Sequence, residues 1–457
     1  MPQVRGPHEQ VHVRGVEVSR LRPGKTQSGA PQAGKDPVVL QIEKPIYGGA
    51  FLARDEGKAV FVPLVLPGEQ ARVRLVEEKR GYATAEVEEL IASAPERIAP
   101  QCRHFGVCGG CQYQHAGYET QLRIKQEVLR ETLQRGGVQP PEQIAVLAGQ
   151  PWEYRNRIRL AFDAQGNPGY RGRRSHAVVP IRECPISAPL LVRAALVAAQ
   201  VIKSFAPVLH ATELALFCNA EETALLLTMF VAAPAKIRLD EFAITVKEGI
   251  PELAGAELVL ETANQPPRTL ALWDQASVVY RAAGFDYRVD HGAFFQVNRW
   301  LVDALVERVA AGYIGVLAWD LFAGVGLFAR RLAQSFHRVV AVESAPAATD
   351  ALAANLLGTT GEAVRSSTLE FLRRRRGTER PDLVVVDPPR TGLGAEIAAL
   401  LAEVAAPALV YVSCDPATLA RDLRVLLAQG YGIESITLAD LFPQTFHLET
   451  VVRLRHP

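Results

Sequence analysis

Between residues 37 and 95 apolar and polar positions alternate in short runs: Val38-Val-Leu-Gln-Ile, Lys58-Ala-Val-Phe-Val, Gln70-Ala-Arg-Val-Arg-Leu-Val and Tyr82-Ala-Thr-Ala-Glu-Val. Gly48-Gly49, Pro67-Gly68 and Arg80-Gly81 punctuate them. A period of two sends successive side chains to opposite faces of a strand, and several short strands at this spacing predict a small β-barrel of the oligonucleotide-binding kind. Tyr47, Phe51 and Tyr82 are its candidates for stacking on bases, in competition with a place in the barrel core. A helical period follows around Tyr118 to Arg135, and then a strand-rich region to about 275. From about 285 onward strands and helices alternate, as in a doubly wound parallel sheet.

Three apolar runs in that last part end in loops that carry chemistry. Trp319-Asp-Leu-Phe-Ala-Gly324-Val-Gly326-Leu-Phe has the strand-turn-helix pattern that brings a nucleotide-like cofactor to strand ends. Arg338-Val-Val-Ala-Val-Glu343 ends in an acid 19 residues after Gly324, where a ribose-binding carboxylate belongs. Enzymes that bind NAD use the same device, so this pair leaves the cofactor open. Leu383-Val-Val-Val-Asp387-Pro-Pro-Arg390 supplies a polar edge suited to a flat base, which shifts the balance towards methyl transfer. Tyr411-Val-Ser-Cys414-Asp-Pro puts a thiol at a strand end just before a helix, where the N-terminal dipole is expected to favour thiolate. In Phe442-Pro-Gln-Thr-Phe-His447-Leu-Glu449-Thr, Glu449 is a candidate base and His447 an orienting residue.

Length predicts about three domains in 457 residues: a flexible tail over 1–36, the barrel over 37–95, a central α+β domain over 96–275 and a Rossmann-like domain over 276–457. Charged residues at 22% and hydrophobic residues at 48%, with no apolar run near the ~20 residues that span a bilayer, lead us to expect a cytoplasmic protein with no membrane partner. A monomer is the default, since nothing in the pattern fixes an oligomeric state. A net charge of +1 means that any nucleic-acid surface is local. Arg155, Arg157 and Arg159 at alternate positions and the Arg171, Arg173, Arg174 cluster are the candidates, while Arg373 to Arg376 read as the end of a helix.

Cys102, Cys108 and Cys111 fall in Cys-x5-Cys-Gly-Gly-Cys, with Cys184 in Arg-Glu-Cys-Pro as a fourth partner. Four thiolates suit zinc or an iron–sulfur cluster, and the 3+1 distribution with proline after the last cysteine leans towards [4Fe–4S]. Cys218 reads as a small buried hydrophobe.

Together these runs resemble the RNA 5-methyluridine methyltransferases that carry an iron–sulfur cluster and use S-adenosylmethionine. The resemblance covers about residues 38 to 457, through the cysteine set, Phe294-Phe-Gln296-Val-Asn298, the Asp320 to Gly326 turn, Asp387-Pro-Pro-Arg390, Ser413-Cys414-Asp415-Pro416 and His447-Leu-Glu449-Thr. It implies Cys414 as nucleophile, Glu449 as proton acceptor, Cys102, Cys108, Cys111 and Cys184 as cluster ligands, and Gln296, Phe322, Glu343 and Asp387 around the cofactor. The N-terminal run is similar to a TRAM domain, typical of the family's ribosomal-RNA members, which implies 23S ribosomal RNA as substrate ahead of transfer RNA. Leu327 and Gln444 depart from the pattern, since relatives often carry a polar residue and His there. Methylation of a base nitrogen and a non-catalytic RNA-binding role are the rival readings.

Overall fold

A computed structural model describes residues 36–205, 211–234 and 238–457. The tail expected over 1–36 lies outside the described residues but for Asp36. Contacts divide the chain into two compact units: Ala50–Ala94 with the described residues before Pro45, and Pro45–Gly49 with Pro95–Pro457.

The smaller unit is a closed barrel of β1 (Val38–Pro45), β2 (Ala50–Asp55), β3 (Lys58–Pro63), β4 (Gln70–Glu78) and β5 (Tyr82–Ala92), in the order β1-β2-β3-β5-β4. Its alternating apolar positions point inward, with Ile42, Ala53, Val60, Val62, Val73, Ala83 and Ala85 buried. Phe51 belongs to this core and is fully buried, so it has no face to offer a base. Tyr82 leans on Phe61, with ring centroids 5.5 Å apart. The buried carboxyl of Glu69 closes the turn before β4 by accepting from the backbone N–H groups of Leu66 at 2.7 Å and Ala94 at 3.1 Å.

The larger unit starts with α1 (Tyr118–Arg135) and β6 (Ala145–Leu147). A seven-stranded sheet follows, built from β7 (Arg157–Phe162), β8 (Pro168–Arg171), β9 (Val178–Pro180), β10 (Ala211–Cys218), β11 (Leu225–Val231), β12 (Leu253–Leu260) and β13 (Arg268–Asp274). Helices α2 (Pro189–Phe205) and α3 (Leu239–Gly249) pack on it around a core that includes Leu216, Cys218, Leu227 and Phe242. Next comes the hairpin β14 (Ser277–Ala282) and β15 (Phe285–Asp290), then α4 (Val302–Ala310).

The remaining chain alternates as β16 (Gly315–Leu321), α5 (Leu327–Leu332), β17 (Phe336–Glu343), α6 (Pro346–Leu356), β18 (Gly361–Arg365), α7 (Thr368–Arg375), β19 (Leu383–Val386), α8 (Gly394–Val404), β20 (Ala408–Ser413), α9 (Pro416–Ala428), β21 (Gly432–Ala439) and β22 (Glu449–Arg455). These strands form one sheet in the order β18-β17-β16-β19-β20-β22-β21-β6. From β18 to β20 neighbours run parallel, and β22 is antiparallel to both β20 and β21. Every residue of β19 and β20 is buried, as expected of parallel strands covered by helices on both faces. Order reverses between β16 and β19, so a crevice opens there at the carboxyl ends of the strands.

The last strand of the sheet is not local. β6 pairs in parallel with β21, Ala145 opposite Thr437, and α1 packs against α9, so chain from before the central sheet completes the C-terminal one. The decisive contact is polar. Lys125 of α1, fully buried, donates to Asp440 Oδ1 at 2.6 Å and to the carbonyl oxygen of Phe442 at 2.9 Å. Burial pulls the Lys125 ammonium down and the Asp440 carboxylate opposes it. Removing one member of such a pair strands a charge in the interior. Lys125→Met is therefore expected to destabilise the larger unit by about 3–5 kcal/mol, read as a lower urea midpoint, and adding Asp440→Leu to restore most of the loss. A single variant that unfolds at the wild-type midpoint would mean that the pair holds nothing.

Candidate active site

The turn after β16 sits at the crevice. Phe322, Gly324 and Gly326 all have positive φ, at 64°, 56° and 90°. Left-handed backbone costs a bulky residue about 1–3 kcal/mol and persists where its surroundings impose it. At Gly326 a Cβ would also meet the Leu352 side chain at 2.6 Å. Phe322 and Gly324 line a narrow cleft with Gln296, Leu327, Phe328 and Asp387. Glu343 stands one hydrogen bond behind it: its Oε2 accepts from Gly324 N–H at 3.0 Å, and its Oε1 from the N–H groups of Ser344 and Ala345, each at 2.7 Å. Asp320, buried at the end of β16, accepts from Ala329 N–H at 2.8 Å through Oδ2, while Oδ1 has no partner within the protein. An unpaired buried oxygen beside a glycine turn, with a largely apolar cleft that has an acid in its lining, fits a polar, nucleotide-like ligand.

Asp387, Arg390, Cys414 and Glu449 come within electrostatic reach of one another where β19 and β20 end and β22 begins, beside this cleft. Burial pushes the Cys414 thiol up to about 12, helped by the negative charges of Glu449, Asp387 and Asp415 and opposed by Arg390. The thiolate expected from the helix N-terminus is therefore not what the protein's own charges produce. Burial is the main reason, and Asp415, the N-cap of α9, also takes the N–H groups of Ala417 and Thr418 with its Oδ1 at 3.0 Å each. Glu449 is raised well above the usual carboxylate range by burial and by Asp387, with Arg390 opposing. Asp387 is pushed up to about 7 by burial. Arg390 also donates to His447 Nδ1 at 3.1 Å, and burial followed by the Arg390 charge pulls that imidazole down to about 3, so it is neutral. Crowded acids and a protonated thiol are poised for a cation, whose arrival favours every charged form at once.

The loop between β21 and β22 carries His447 and ends in Glu449, and it is gripped from several sides. Asn298 Nδ2 donates to the Leu441 carbonyl at 3.2 Å and the Tyr154 hydroxyl to that of Pro443 at 3.1 Å. Gln121 Nε2 donates to Gln444 Oε1 and its Oε1 accepts from Gln444 N–H, both at 2.9 Å. Gln444 has a left-handed φ of 68°. On the other wall, Asp422 Oδ2 accepts from Leu393 N–H at 2.7 Å and from the Tyr411 hydroxyl at 2.8 Å, tying the loop after Arg390 to β20. Sequence reasoning passed over Lys125, Gln121, Asp422 and Asp440. The first three had a signal: each is a polar residue at the apolar spacing of an amphipathic helix, Gln121 and Lys125 in line with Val128, and Asp422 between Leu419 and Leu426. Tyr47 turns up here too, its hydroxyl 3.4 Å from Asp415 Oδ2 and its ring 5.9 Å from that of Phe446.

The arginine clusters are largely spent internally. Arg157 lies over the Phe217 ring at 4.6 Å, and Arg159 lies over Phe230 while pairing with Glu213 and Glu261. Arg171 shares Glu213, and Arg173 donates to the Gly106 carbonyl at 3.2 Å. Paired with carboxylates, Arg159 and Arg171 offer little uncompensated charge to a phosphate chain. Arg373 and Arg376 bond Glu396 and Glu403 at the end of α7.

Cys102, Cys108, Cys111 and Cys184 are free thiols close enough for their charges to interact, and burial raises the first three. Two sulfurs already accept hydrogen bonds, Cys108 from Gly110 N–H at 3.4 Å and Cys184 from the Ser187 hydroxyl at 3.2 Å. Among the described residues, no three His, Cys, Asp or Glu side chains converge as ligands of a single metal ion. Cys218 is buried in the core beneath the central sheet.

A switch-point cleft floored by an acid, with a thiol and a second acid at neighbouring strand ends, defines a doubly wound transferase. Comparison with known proteins narrows the class. The family model described as tRNA (Uracil-5-)-methyltransferase matches residues 274–456, and the TRAM domain model matches 39–87. The 23S rRNA (uracil(1939)-C(5))-methyltransferase RlmD of Halomonas elongata is 33% identical over 96% of this chain and 93% of its own. An uncharacterized RNA methyltransferase of Thermotoga maritima is 31% identical over 91% and 98%. The crystal structure of Pyrococcus abyssi tRNA (uracil-54, C5)-methyltransferase in complex with S-adenosyl-L-homocysteine superposes with a TM-score of 0.74 at 23% identity, over 91% of this chain and 100% of that one, and shares the fold. The chain belongs to the S-adenosylmethionine-dependent RNA uracil-C5 methyltransferase family.

The raised carboxyl of Asp387 has a consequence for stability. The unfolded chain releases this proton near the ordinary carboxylate value of 3.8 and the folded one near 7, so between those values the folded state binds more protons and stability falls as pH rises. Asp387→Asn is expected to melt above wild type at pH 8, the gap closing as pH drops towards 4, in a thermal-shift series. A gap that does not change with pH would show that this carboxyl ionises normally.

Proposed function

We propose that this protein methylates C5 of a uridine in 23S ribosomal RNA, with Cys414 as nucleophile and Glu449 as base. The observation that carries the reading is the meeting of Cys414, Glu449, Asp387 and Arg390 at the ends of β20, β22 and β19, beside the cleft lined by Gln296, Phe322 and Gly324. Gln296, Phe322, Glu343 through Gly324, and Asp387 hold the methyl donor. S-adenosylmethionine supplies an electrophilic methyl on a cationic sulfur.

C5 of uracil is a weak nucleophile until electrons reach it from C6. Cys414 gives its proton to solvent and adds its sulfur to C6, which loads C5 to take the methyl as the methyl–sulfonium bond breaks. Glu449, as carboxylate, then takes the proton from C5, and the C6–sulfur bond breaks to release Cys414 as thiolate, which regains a proton from solvent. Arg390, the charge that opposes the rise of both groups, favours their ionised forms. Carbon 6 is shielded inside a helix, so the target base is unpaired or extruded. Ribosomal RNA is supported by the names of the curated relatives and by the TRAM match, and the cytoplasm is where that RNA is found. Transfer RNA is the second reading, favoured by the description of the matching family model. No helix among the described residues is long and apolar enough to cross a membrane.

Cys102, Cys108, Cys111 and Cys184 hold a [4Fe–4S] cluster in this reading. The support is four thiols whose charges interact, two already receiving hydrogen bonds, in a 3+1 spacing that suits four thiolate ligands. Anaerobically purified protein is expected to carry about four iron and four sulfide per chain, and Cys111→Ser to lose them. One zinc and no sulfide would replace the cluster with a mononuclear site.

Incubation with unmodified ribosomal and transfer RNA and labelled methyl donor, then mass spectrometry of the nucleosides, is expected to place label in 5-methyluridine from ribosomal RNA. Label from transfer RNA alone would select the second reading, and label on a base nitrogen would end both. Cys414→Ala should abolish turnover and the covalent adduct, and Glu449→Gln should accumulate adduct. Turnover by Cys414→Ala at the wild-type rate would remove it as nucleophile.

A further inference from the structure

The β6 edge of the eight-stranded sheet carries a second concavity, of about 460 Å³, lined from α1 by Gln126 and Arg130, from α4 by Arg308, and from the two edge strands by Ala145 and Ser435. It lies on the flank of the sheet and is lined by none of the residues of the cofactor cleft. Its arginines differ from most of those bonded elsewhere on the surface. Arg103, Arg338 and Arg373 each face a glutamate. Arg130 instead donates to the main-chain carbonyls of Pro141 at 3.1 Å and Glu142 at 2.7 Å, and Arg308 to the Thr437 hydroxyl at 2.7 Å. Neither charge is matched by a carboxylate bonded to it. A third guanidinium, Arg453, stands behind Arg308 over the Tyr313 ring at 5.2 Å and is spent on the carbonyls of Arg308 and Ala311 at the end of α4. Its Nε is buried without a partner. Of the acids nearby, Glu434 pairs with Arg455 at 3.2 Å, and Glu142 is the one acid of the lining against two arginines, so one positive charge stays in excess.

Like charges gathered around a concavity are stabilised by an anion, and guanidinium donors match phosphate oxygens two at a time. No aromatic ring lines the space, so nothing there would hold a nucleobase. We infer that the Arg130–Arg308 concavity is a docking site for a backbone phosphate of the substrate RNA, lateral to the catalytic crevice. The inference rests on the RNA methylation reading and adds a footprint to it: RNA that presents its uridine at the ends of β19 and β20 also reaches around the β6 edge.

The test is RNA affinity of the full-length protein by filter binding across a salt series, with ribosomal RNA as ligand. Replacing Arg130 and Arg308 together by Gln is expected to weaken binding about ten-fold and to reduce the slope of log K against log salt by about one for each phosphate no longer held. The KM for RNA should rise in parallel, while affinity for S-adenosylhomocysteine, the check on folding, should stay within about two-fold of wild type. An unchanged affinity and slope in a double variant that still binds S-adenosylhomocysteine overturns the inference, and methylation by the wild type in that case leaves the uracil reading intact. Wild-type protein that binds no RNA overturns both. Should the double variant fail to fold, Arg308→Lys keeps the charge and loses the paired donors, so affinity is expected to fall about three-fold at an unchanged slope. No change in that variant overturns the inference as well.

Discussion

The buried ion pair between Lys125 and Asp440 is the contact on which the arrangement of the site depends. It joins a helix that precedes the central sheet to the loop that follows β21, and the same ammonium reaches the Phe442 carbonyl. Two charges taken out of water contribute little net stability compared with a packed apolar pair, but they tolerate few alternative geometries, because any slip leaves one of them unpaired. The pair therefore serves as a register pin. With Asp440 fixed, the Gln121–Gln444 amide exchange and the bonds from Asn298 and Tyr154 fall into place, and the start of β22 presents Glu449 beside Cys414.

The cost of that placement is electrostatic. Asp320, Asp387 and Glu449 crowd the strand ends, and burial pushes Asp320 to about 8 and Asp387 to about 7. A packed domain gains nothing from three recessed acids, since each would be better solvated elsewhere. The arrangement makes sense for a site built around positive charge, and a sulfonium ligand is such a charge. Protein groups alone hold the Cys414 thiol and the Glu449 carboxyl protonated, and positive charge in the crevice would favour their ionised forms.

The sequence revealed the repeating parts and missed the joints. Alternation between 38 and 92 specified the barrel because strand faces differ sharply in burial, and the glycine turn after Trp319 with its partner acid Glu343 marked the crevice end of the sheet. Local periodicity carries no information about pairs separated by hundreds of residues, so β6 joining β21, Lys125 meeting Asp440 and Gln121 meeting Gln444 were invisible. The same limit explains the arginines at 155, 157 and 159: alternation placed them on a strand, but Phe217, Glu213 and Glu261, which absorb the last two charges, come from elsewhere in the chain. The helix-dipole argument for Cys414 left out burial, which raises the thiol most, and Asp415, its neighbour, which bonds the first free N–H groups of α9 directly.

The cysteine group gains a purpose from its position in this scheme. Gln112 and Tyr113, the two residues after Cys111, both donate their N–H groups to the Gln444 carbonyl, at 2.9 and 3.0 Å, and the Gln112 side chain accepts from Phe446 N–H at 3.3 Å. The segment that would be anchored by a cluster is thus the segment that holds the outer side of the loop leading to Glu449, opposite the grip of α1. A short loop rich in turns, from Arg103 to Gln112, has little apolar surface to order it, and covalent sulfur ligands would replace the missing core. A cluster held there would act by fixing backbone rather than by passing electrons. That matches a reaction in which no net oxidation occurs, and it places the thiols where loss of the cluster would loosen Glu449 through Gln444 before it disturbed the cofactor cleft.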